Sequence, residues 1–207
     1  MPKKSPELAE NRRNEIINAC KELYEKMSFK EITIKEISGA TSFSRPSIYN
    51  YFETKEEIFL AIFQQEYELW TADLLEMEKK SFLSPTGFAR EIAKSLEKRV
   101  LLLKLLAMNL YDMEENSRME LLVDFKRSYK KSYDTIDLLL KKFFPTFAFT
   151  KRKEFLLTFF PFMFGIYPSA VSTKKQIEAM NICGYKPEET SIFEITYKCV
   201  KGLLGER

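Results

Sequence analysis

The chain contains no histidine. This absence excludes a Ser-His-Asp triad, a Cys-His catalytic pair and any metal site built on imidazole ligands. No glycine-rich phosphate-binding string of the GxGxxG or GxxxxGK[ST] type is present either. The acidic cluster Asp112, Glu114 and Glu115 is interpreted as a solvated helix end, because paired catalytic carboxylates need burial to separate their pKa values. The sequence therefore predicts neither an enzyme nor a bound cofactor or metal.

Glycine, proline and cysteine are also scarce. Six glycines and eight prolines are spread over 207 residues, and no stretch shows the polar-apolar alternation of a strand. Hydrophobic residues make up 45% of the chain, which indicates a folded globule. We therefore expect an all-α protein. Cys20, Cys183 and Cys199 form an odd set without metal-ligand spacing, and no apolar signal sequence is visible, so we expect free thiols and a cytoplasmic location.

One segment has no charge at all, namely FLLTFFPFMFGIYPSAVST at residues 155–173. Its length nearly suffices for a membrane span, which needs about 20 apolar residues. Pro161, Gly165 and Pro168 would interrupt such a helix repeatedly. We therefore expect no membrane span but a helix buried on all sides, with one face lining a pocket and another packing against a partner subunit.

Basic residues are concentrated in residues 126–153, where nine Lys and Arg stand against Asp134 and Asp137. One interpretation is a second site for an anion. The other is a solvated helix face, supported by the i,i+4 pairs that Asp134 and Asp137 form with Lys130 and Lys141. We prefer the solvated face.

Three helix starts are marked between residues 33 and 80. The predicted caps are Thr33 with Glu36, Ser44 with Pro46 in its first turn, and Thr54 with Glu57. Only Ser42 and Phe43 separate the second helix from the Ser44 cap, so the connection must be a tight turn that sets the helices at a steep angle. The pattern predicts a helix-turn-helix.

The short helix after Ser44 has two different faces. Ile48 and Phe52 provide apolar partners for a small three-helix core. The other face carries polar groups of the types that bond phosphate oxygens and base edges in a major groove. These residues are Arg45, Ser47, Tyr49 and Asn50. The sequence thus predicts a DNA-reading face.

Three strings in this region, TIKEI at 33–37, FSRPSIYNYF at 43–52 and KEEIF at 55–59, resemble the DNA-binding domain of TetR-type (tetracycline-repressor type) transcription regulators. The resemblance covers roughly residues 10–60, with Ser42 at a turn position usually held by glycine. It implies a helix-turn-helix domain at 1–55 and a helical ligand-binding and dimerisation domain at 56–207. A homodimeric, ligand-responsive repressor on a palindromic operator is the expected function.

The resemblance also implies roles for individual residues. Base edges should be contacted by Lys35, Arg45 and Pro46, and phosphates mainly by Thr33, Ser47, Tyr49, Asn50 and Lys55, with Ser44 capping the helix that carries most of them. Residues 1–55 have a net charge of only +2, from ten basic and eight acidic residues, so phosphate attraction must come from local placement. The alternative is that Lys35, Arg45 and Lys55 are merely solvated surface charges.

Beyond the long helix expected at 54–80, further helices are predicted near 84–98, 98–113, 117–143, 151–171 and 188–204. Aromatic and thioether side chains between residues 100 and 170 are enough for an apolar cavity that would take a small hydrophobic or aromatic effector. The candidate lining residues are Leu103, Met108, Tyr111, Phe125, Tyr129, Phe159, Phe162 and Met163. The basic run leaves an anionic headgroup possible on that effector.

The resemblance further implies that the last two long helices, 151–171 and 188–204, pair with a second subunit. The last helix offers Ile192, Phe193, Tyr197, Val200 and Leu204 for this contact. A competing hypothesis is a helical lipid-binding or adaptor protein that does not bind DNA. Salt-dependent retention on DNA would distinguish the two.

Overall fold

The computed structural model describes residues 6–108, 110–186 and 188–205. These residues form eleven α-helices and no strand. In chain order the helices are α1 (Pro6–Lys26), α2 (Ile34–Gly39), α3 (Arg45–Ile48), α4 (Lys55–Glu78), α5 (Pro85–Glu97), α6 (Val100–Leu106), α7 (Leu110–Glu115), α8 (Met119–Phe143), α9 (Phe149–Ala170), α10 (Lys174–Ile182) and α11 (Ile192–Leu203). The predicted all-α class is confirmed.

The helices α2, α3 and α4 begin after the three predicted caps. Thr33 accepts hydrogen bonds from the backbone N–H groups of Lys35 and Glu36, as an N-cap should. Ser44 has the extended backbone of an N-cap, but its side chain makes no capping bond. The tight turn between α2 and α3 confirms the predicted helix-turn-helix.

The predicted capping box at α4 forms only in part. The hydroxyl oxygen of Thr54 accepts a hydrogen bond from the N–H of Glu57 at 3.2 Å. The carboxylate of Glu57 does not return this bond to Thr54; it accepts instead from the N–H of Glu53 at 2.7 Å. The same carboxylate forms an ion pair with Arg118, which lies far away in the sequence, so the local pattern cannot reveal it.

The chain divides into two compact units. Their described parts are 6–65 with 110–127 in the first unit, and 66–108 with 128–186 and 188–205 in the second. The helices α4 and α8 each contribute residues to both units.

The core of the first unit is built from the apolar stripes of α1 and α4, with α2 and α3 packed beside them. Its fully buried side chains include Ile16, Ile17, Cys20, Ile37, Ile48, Phe52, Ile58, Ile62 and Phe63. Edge-to-face ring contacts join Tyr24 to Phe59 and Phe63 to Phe125, with centroids 5.1 Å apart in each case. The α7 and early α8 residues Met113 and Phe125 therefore belong to this core.

In the second unit, α11 packs against α5 and α9, and α6 packs against α5 and α9. The indole of Trp70 is fully buried and donates a hydrogen bond from Nε1 to Oγ of Ser95 at 3.0 Å. A buried indole N–H needs such a partner, because leaving it unpaired would be costly.

The single helix predicted over 98–113 is wrong: two helices, α6 and α7, occupy this stretch. The N–H of Met108 bonds to the carbonyl oxygen of Leu105 at 3.0 Å, so α6 ends in a tighter turn. No glycine or proline marks the break, and the pattern therefore gave no signal for it.

The helix predicted at 151–171 is confirmed as α9. Pro161 and Pro168 lie inside this continuous helix and do not interrupt it, contrary to the expectation for a membrane-spanning helix. The carbonyls left without a donor belong to Leu157 and Phe164, four residues earlier, whose side chains are 59% and 39% exposed. Since both residues lie on the exposed side of the helix, water can satisfy these carbonyls. One face of this helix is exposed in the single chain, and the expectation that this face packs against a partner subunit stays a prediction.

The helix α10 was not predicted. Among its described residues none is buried, so it has no apolar stripe to reveal it. Its start is marked by a complete capping box between Thr173 and Gln176. Its end is marked by Gly184 at φ 73°, where the N–H of Tyr185 bonds back to the carbonyl of Met180 at 2.9 Å.

Among the described helices no single one has both the length and the apolar character to cross a membrane. Together α9 and α10 meet these criteria, but the two are bent by 78° at the break between them. The three cysteines are free, and burial raises the pKa of the Cys20 thiol to about 12.

Candidate nucleic-acid interface and effector core

The helix α3 presents its two faces as the sequence pattern predicts. Ile48, and Phe52 just beyond the helix, are fully buried and fix it to the core of the first unit. The opposite face carries the exposed side chains of Arg45, Tyr49 and Asn50. Pro46 is also exposed and sits at the start of the helix, where its missing N–H costs nothing.

The polar groups on this face are available to a ligand. Arg45, Tyr49 and Asn50 make no side-chain hydrogen bond or ion pair to any residue that the structure describes. The hydroxyls of Ser44 and Ser47, by contrast, are paired with each other, with their Oγ atoms 2.9 Å apart. A row of exposed guanidinium, phenol and amide groups can donate to phosphates and base edges.

The predicted contacts on α2 lie at its beginning. Thr33 and Lys35 are both exposed. The hydroxyl of Thr33 is already engaged, because it caps α2 and also donates to the carboxylate of Glu36. Lys35 therefore offers the more available donor of the two.

Among the predicted basic contacts, Lys55 differs from Lys35 and Arg45 because its ammonium group has partners within the chain. It donates to the carbonyl oxygens of Phe29 and Ile32 at 2.8 and 3.1 Å. It also lies 4.1 Å from the centroid of the Phe29 ring. Two of its three donors thus hold the turn between α1 and α2.

The turn before α3 is held by Glu15 of α1. Its carboxylate accepts hydrogen bonds from the N–H and the hydroxyl of Ser42 at 2.9 and 2.8 Å. The bond from the Ser42 backbone, followed by that from its hydroxyl, lowers the pKa of Glu15. No described residue other than glycine has positive φ, so Ser42 closes the turn without the conformation that glycine favours.

The segment that follows α3 is held by the buried carboxylate of Glu57 on α4. Glu57 is fully buried and accepts two bonds from the Arg118 guanidinium, from Nε at 2.7 Å and from Nη2 at 2.9 Å. Burial by itself would raise the pKa of Glu57, but the hydrogen bonds from Arg118 and from the Glu53 backbone lower it overall. Sequence analysis missed Arg118, because nothing in the local pattern links positions so far apart.

Two further cations that sequence analysis missed lie on α1. The guanidinium of Arg12 lies 5.6 Å from the centroid of the Phe43 ring, and that of Arg13 lies 5.3 Å from the centroid of Phe52. Both side chains therefore cover the aromatic residues that flank α3. The signal for them is weak, because two adjacent arginines near the start of a helix are common on protein surfaces.

The structure does not bring the predicted effector residues together as one set. Phe125 belongs to the core of the first unit, and Tyr111 of that unit is 84% exposed. In the second unit Leu103, Phe159 and Met163 are fully buried. Met108, Tyr129 and Phe162 are half-buried. Tyr111 cannot line an interior cavity at this exposure.

The second unit instead has a cluster of contacting rings, which we call the aromatic cluster: Tyr67, Trp70, Tyr129, Tyr133 and Phe160. Its ring centroids lie 5.0 to 6.5 Å from their neighbours. Burial raises the pKa of Tyr67, so its phenol stays neutral. Only Tyr129 of this cluster was predicted. Tyr67 and Trp70 lie outside residues 100–170, and Tyr133 and Phe160 lie within that stretch but were not singled out.

Buried hydroxyls lie beside this cluster. Thr71 and Ser132 have their side-chain oxygens 2.8 Å apart, and Thr71 also donates to the carbonyl of Tyr67 at 2.8 Å. On α11 the hydroxyl of Thr196 is buried without a partner among the described residues. The interior of the second unit thus combines a large apolar surface with a few polar groups.

The residues predicted for the subunit contact on α11 divide into two groups. Ile192, Val200 and Leu204 are buried within the chain's own second unit. Phe193 and Tyr197 are half-buried, and their rings stack with centroids 5.8 Å apart. Only these two of the five side chains retain surface for another molecule.

The helix α9 has an exposed apolar stripe that sequence analysis did not single out. Its members recur at helical spacing on one face. They are Leu157, Pro161, Phe164, Gly165 and Pro168. An exposed stripe of this kind is typical of a surface that packs against another protein.

Comparison with known families agrees with this geometry. Residues 16–62 match the family model described as "Bacterial regulatory proteins, tetR family". Residues 64–185, more than half of the chain, match "Tetracyclin repressor-like, C-terminal domain". The chain belongs to the TetR family. TetR-family proteins are transcriptional regulators with a DNA-binding helix-turn-helix and a ligand-binding C-terminal domain, and they are not enzymes.

A sequence relative is the uncharacterized HTH-type transcriptional regulator YfiR of Bacillus subtilis (strain 168), which is 33% identical over 63 residues. The matched part is 30% of this chain and 31% of that protein.

Solved structures of TetR-family regulators share the fold. The fatty acid degradation regulator FadR from Bacillus halodurans has a TM-score of 0.60 at 17% identity, over 98% of this chain and 97% of that one. FadR from Thermus thermophilus, solved in complex with lauroyl-CoA, has a TM-score of 0.56 at 21% identity over 93% of both chains. A TetR/AcrR-family regulator from Thermobifida fusca has a TM-score of 0.61 at 17% identity, over 94% and 97% of the two chains. At these identities the likeness concerns the fold alone.

Proposed function

We propose that this TetR-family regulator is a repressor that binds an inverted-repeat operator as a homodimer in the cytoplasm and leaves it when a hydrophobic effector binds. The observation that carries the proposal is the face of α3 on which Arg45, Tyr49 and Asn50 are exposed and unpartnered, opposite the buried Ile48 and Phe52. A single short helix contacts too few bases to be selective, so two copies are needed.

On this surface we assign base contacts to Lys35, Arg45 and Pro46. The phosphate contacts are assigned to Thr33, Ser47, Tyr49 and Asn50, with Ser44 supporting Ser47 through their hydroxyls. Lys55 keeps one donor for a phosphate, because the other two hold the turn between α1 and α2. Its main contribution is then to the shape of the domain.

For the subunit contact we propose the exposed stripe of α9 together with Phe193 and Tyr197 of α11. The support is that these apolar side chains remain uncovered in the single chain, whereas Ile192, Val200 and Leu204 are used internally. A two-fold contact would use the same stripe on both copies.

For the effector we propose a hydrophobic molecule of acyl type that binds within the second unit. The support is the aromatic cluster with its buried hydroxyls and the buried Leu103, Phe159 and Met163. One structural relative is named for fatty acid degradation and another was solved with lauroyl-CoA, and both agree with this chemistry. Aromatic and thioether groups supply the apolar surface, and the hydroxyls orient the polar end.

The test uses duplex DNA that the wild-type protein selects from a random pool. Arg45→Ala should weaken binding to the selected DNA by ~1–3 kcal/mol and relax its base preference. Arg90→Ala removes the same charge from an exposed position on α5 and should leave both unchanged. Failure to select any sequence, together with retention on DNA that does not depend on salt, would favour a helical adaptor instead.

A further inference from the structure

Residues from the middle of the chain bind both ends of the turn that connects α3 to α4. The turn at 116–118, between α7 and α8, belongs to the first unit. Its Asn116 carbonyl accepts a hydrogen bond from the hydroxyl of Thr54 at 2.9 Å. The N–H of Arg118 donates to the Glu57 carboxylate at 3.0 Å. Backbone and side-chain bonds thus join this turn to the start of α4.

The guanidinium of Arg118 also reaches the end of the recognition segment. Its Nη2 atom donates to the carbonyl oxygen of Tyr51 at 3.0 Å while it donates to Glu57 at 2.9 Å. Tyr51 follows the exposed Tyr49 and Asn50 and precedes the buried Phe52. One side chain therefore connects the backbone just after α3 to a buried carboxylate on α4.

Other charges near this site are weaker partners. The carboxylates of Glu53 and Glu120 lie 3.6 Å from Arg118, and both side chains are more than 60% exposed. Glu57 is fully buried and is held from three directions, by the Arg118 side chain, the Arg118 N–H and the Glu53 N–H. A buried carboxylate with this many fixed donors has one orientation, so it gives the guanidinium one position.

We infer that Arg118 is a positioning residue for DNA recognition: through Glu57 and the Tyr51 carbonyl it fixes the orientation of α3, although it lies on the far side of the family's domain boundary. The inference rests on the proposed function, because it assigns α3 the reading of DNA. It adds a residue of the C-terminal family domain to the machinery that sets the recognition helix.

The test compares four versions of the full-length protein: wild type, Arg118→Ala, the control Arg127→Ala, and the double variant Arg118→Met with Glu57→Leu. Arg127 lies on α8, the helix that follows Arg118, and pairs only with Asp124 in the described structure, at a site 75% exposed. The double variant removes both charges, so it leaves no buried carboxylate without its cation, and it does not restore the bond to Tyr51.

Two readouts are needed. Hydrogen exchange of residues 49–53 should accelerate about tenfold or more in Arg118→Ala and in the double variant, with α1 unaffected in the double variant. Their affinity for wild-type-selected DNA should fall about tenfold, while affinity for random duplex changes less than about twofold. Arg127→Ala should behave as wild type in both.

The inference is overturned if the double variant regains wild-type affinity for selected DNA, because Arg118 is then needed only for stability. It is also overturned if exchange rises equally over the whole first unit of the double variant. If the wild type selects no DNA sequence, the proposed repressor function fails, whereas a local change in exchange at 49–53 still supports the positioning of α3.

Discussion

At the scale of single residues, two glutamates hold the turns on either side of α3. Glu15 accepts both hydrogen bonds of Ser42, and Glu57 accepts those of Arg118. The pKa of each carboxyl is lowered in the folded chain, for Glu15 by the bonds from Ser42 and for Glu57 by its donors against the effect of burial. A lowered pKa means that the stabilisation is complete above the ordinary carboxyl value and is lost as the pH falls.

This linkage predicts the acid sensitivity of the first unit. The free energy of unfolding from urea titrations should fall as the pH drops through ~4.3, the ordinary glutamate value, and continue to fall below it. Glu15→Gln should make that fall less steep, because the amide does not titrate. Glu25→Gln changes an exposed carboxylate elsewhere on α1 and serves as the charge-matched control. An identical pH profile for Glu15→Gln and wild type would contradict the assignment.

Lys55 leads to a second residue-scale prediction. Because its ammonium holds the carbonyls of Phe29 and Ile32, Lys55→Ala should lower the free energy of unfolding by ~1–3 kcal/mol. The same substitution should weaken binding to selected and to random DNA equally. It should also reduce the slope of log affinity against log salt concentration by about one. Lys30→Ala, at an exposed neighbouring position, should leave stability unchanged. Chemical denaturation and salt titrations measure the two effects separately.

At the scale of elements, the patterns that could be read from the sequence are those with local causes. The caps Thr33, Ser44 and Thr54 predicted where three helices begin, and the polar face of α3 was correctly separated from its buried face. The break between α6 and α7 has no local marker. Among the described residues of α10 none is buried, so only its capping box and Gly184 marked that helix, and these were not recognised. The pairing of Glu57 with Arg118 depends on tertiary packing, which periodicity does not report.

The exposed stripe of α9 gives the element-scale prediction. Phe164 is 39% exposed in the single chain, so Phe164→Glu should leave the fold intact but place a charge in the proposed subunit contact. We expect monomers in sedimentation velocity and weak binding to selected DNA. Leu138→Glu, at a site 45% exposed on α8, is the control and should remain dimeric. If the Phe164→Glu protein still sediments as a dimer, the subunit contact must lie on another surface.

At the scale of the whole molecule, two long helices are shared by both packing units. Residues of α4 up to Gln65 and residues of α8 up to Arg127 belong to the first unit, and the rest of each helix belongs to the second. Arg118 immediately precedes α8, and Ser132 of the same helix lies beside the aromatic cluster. The sequence predicted α4 as the shared helix but not α8, because the division of α8 between the two units depends on tertiary packing.

The last prediction concerns coupling between effector and operator. If a ligand favours one position of these shared helices, it alters the recognition helices, and coupling of ~1–3 kcal/mol would change operator affinity about 5–150-fold. Operator DNA must then lower the affinity for the ligand by the same factor. Lauroyl-CoA, titrated by calorimetry against the protein with and without selected DNA, should bind more weakly in the presence of DNA.

Ser132→Val removes the buried hydroxyl beside the aromatic cluster. This variant should bind lauroyl-CoA more weakly in both titrations, while its affinity for DNA without ligand stays unchanged. If lauroyl-CoA binds equally well with and without DNA, it is excluded as the effector however tightly it binds. A ligand with equal affinity for two states does not shift the equilibrium between them.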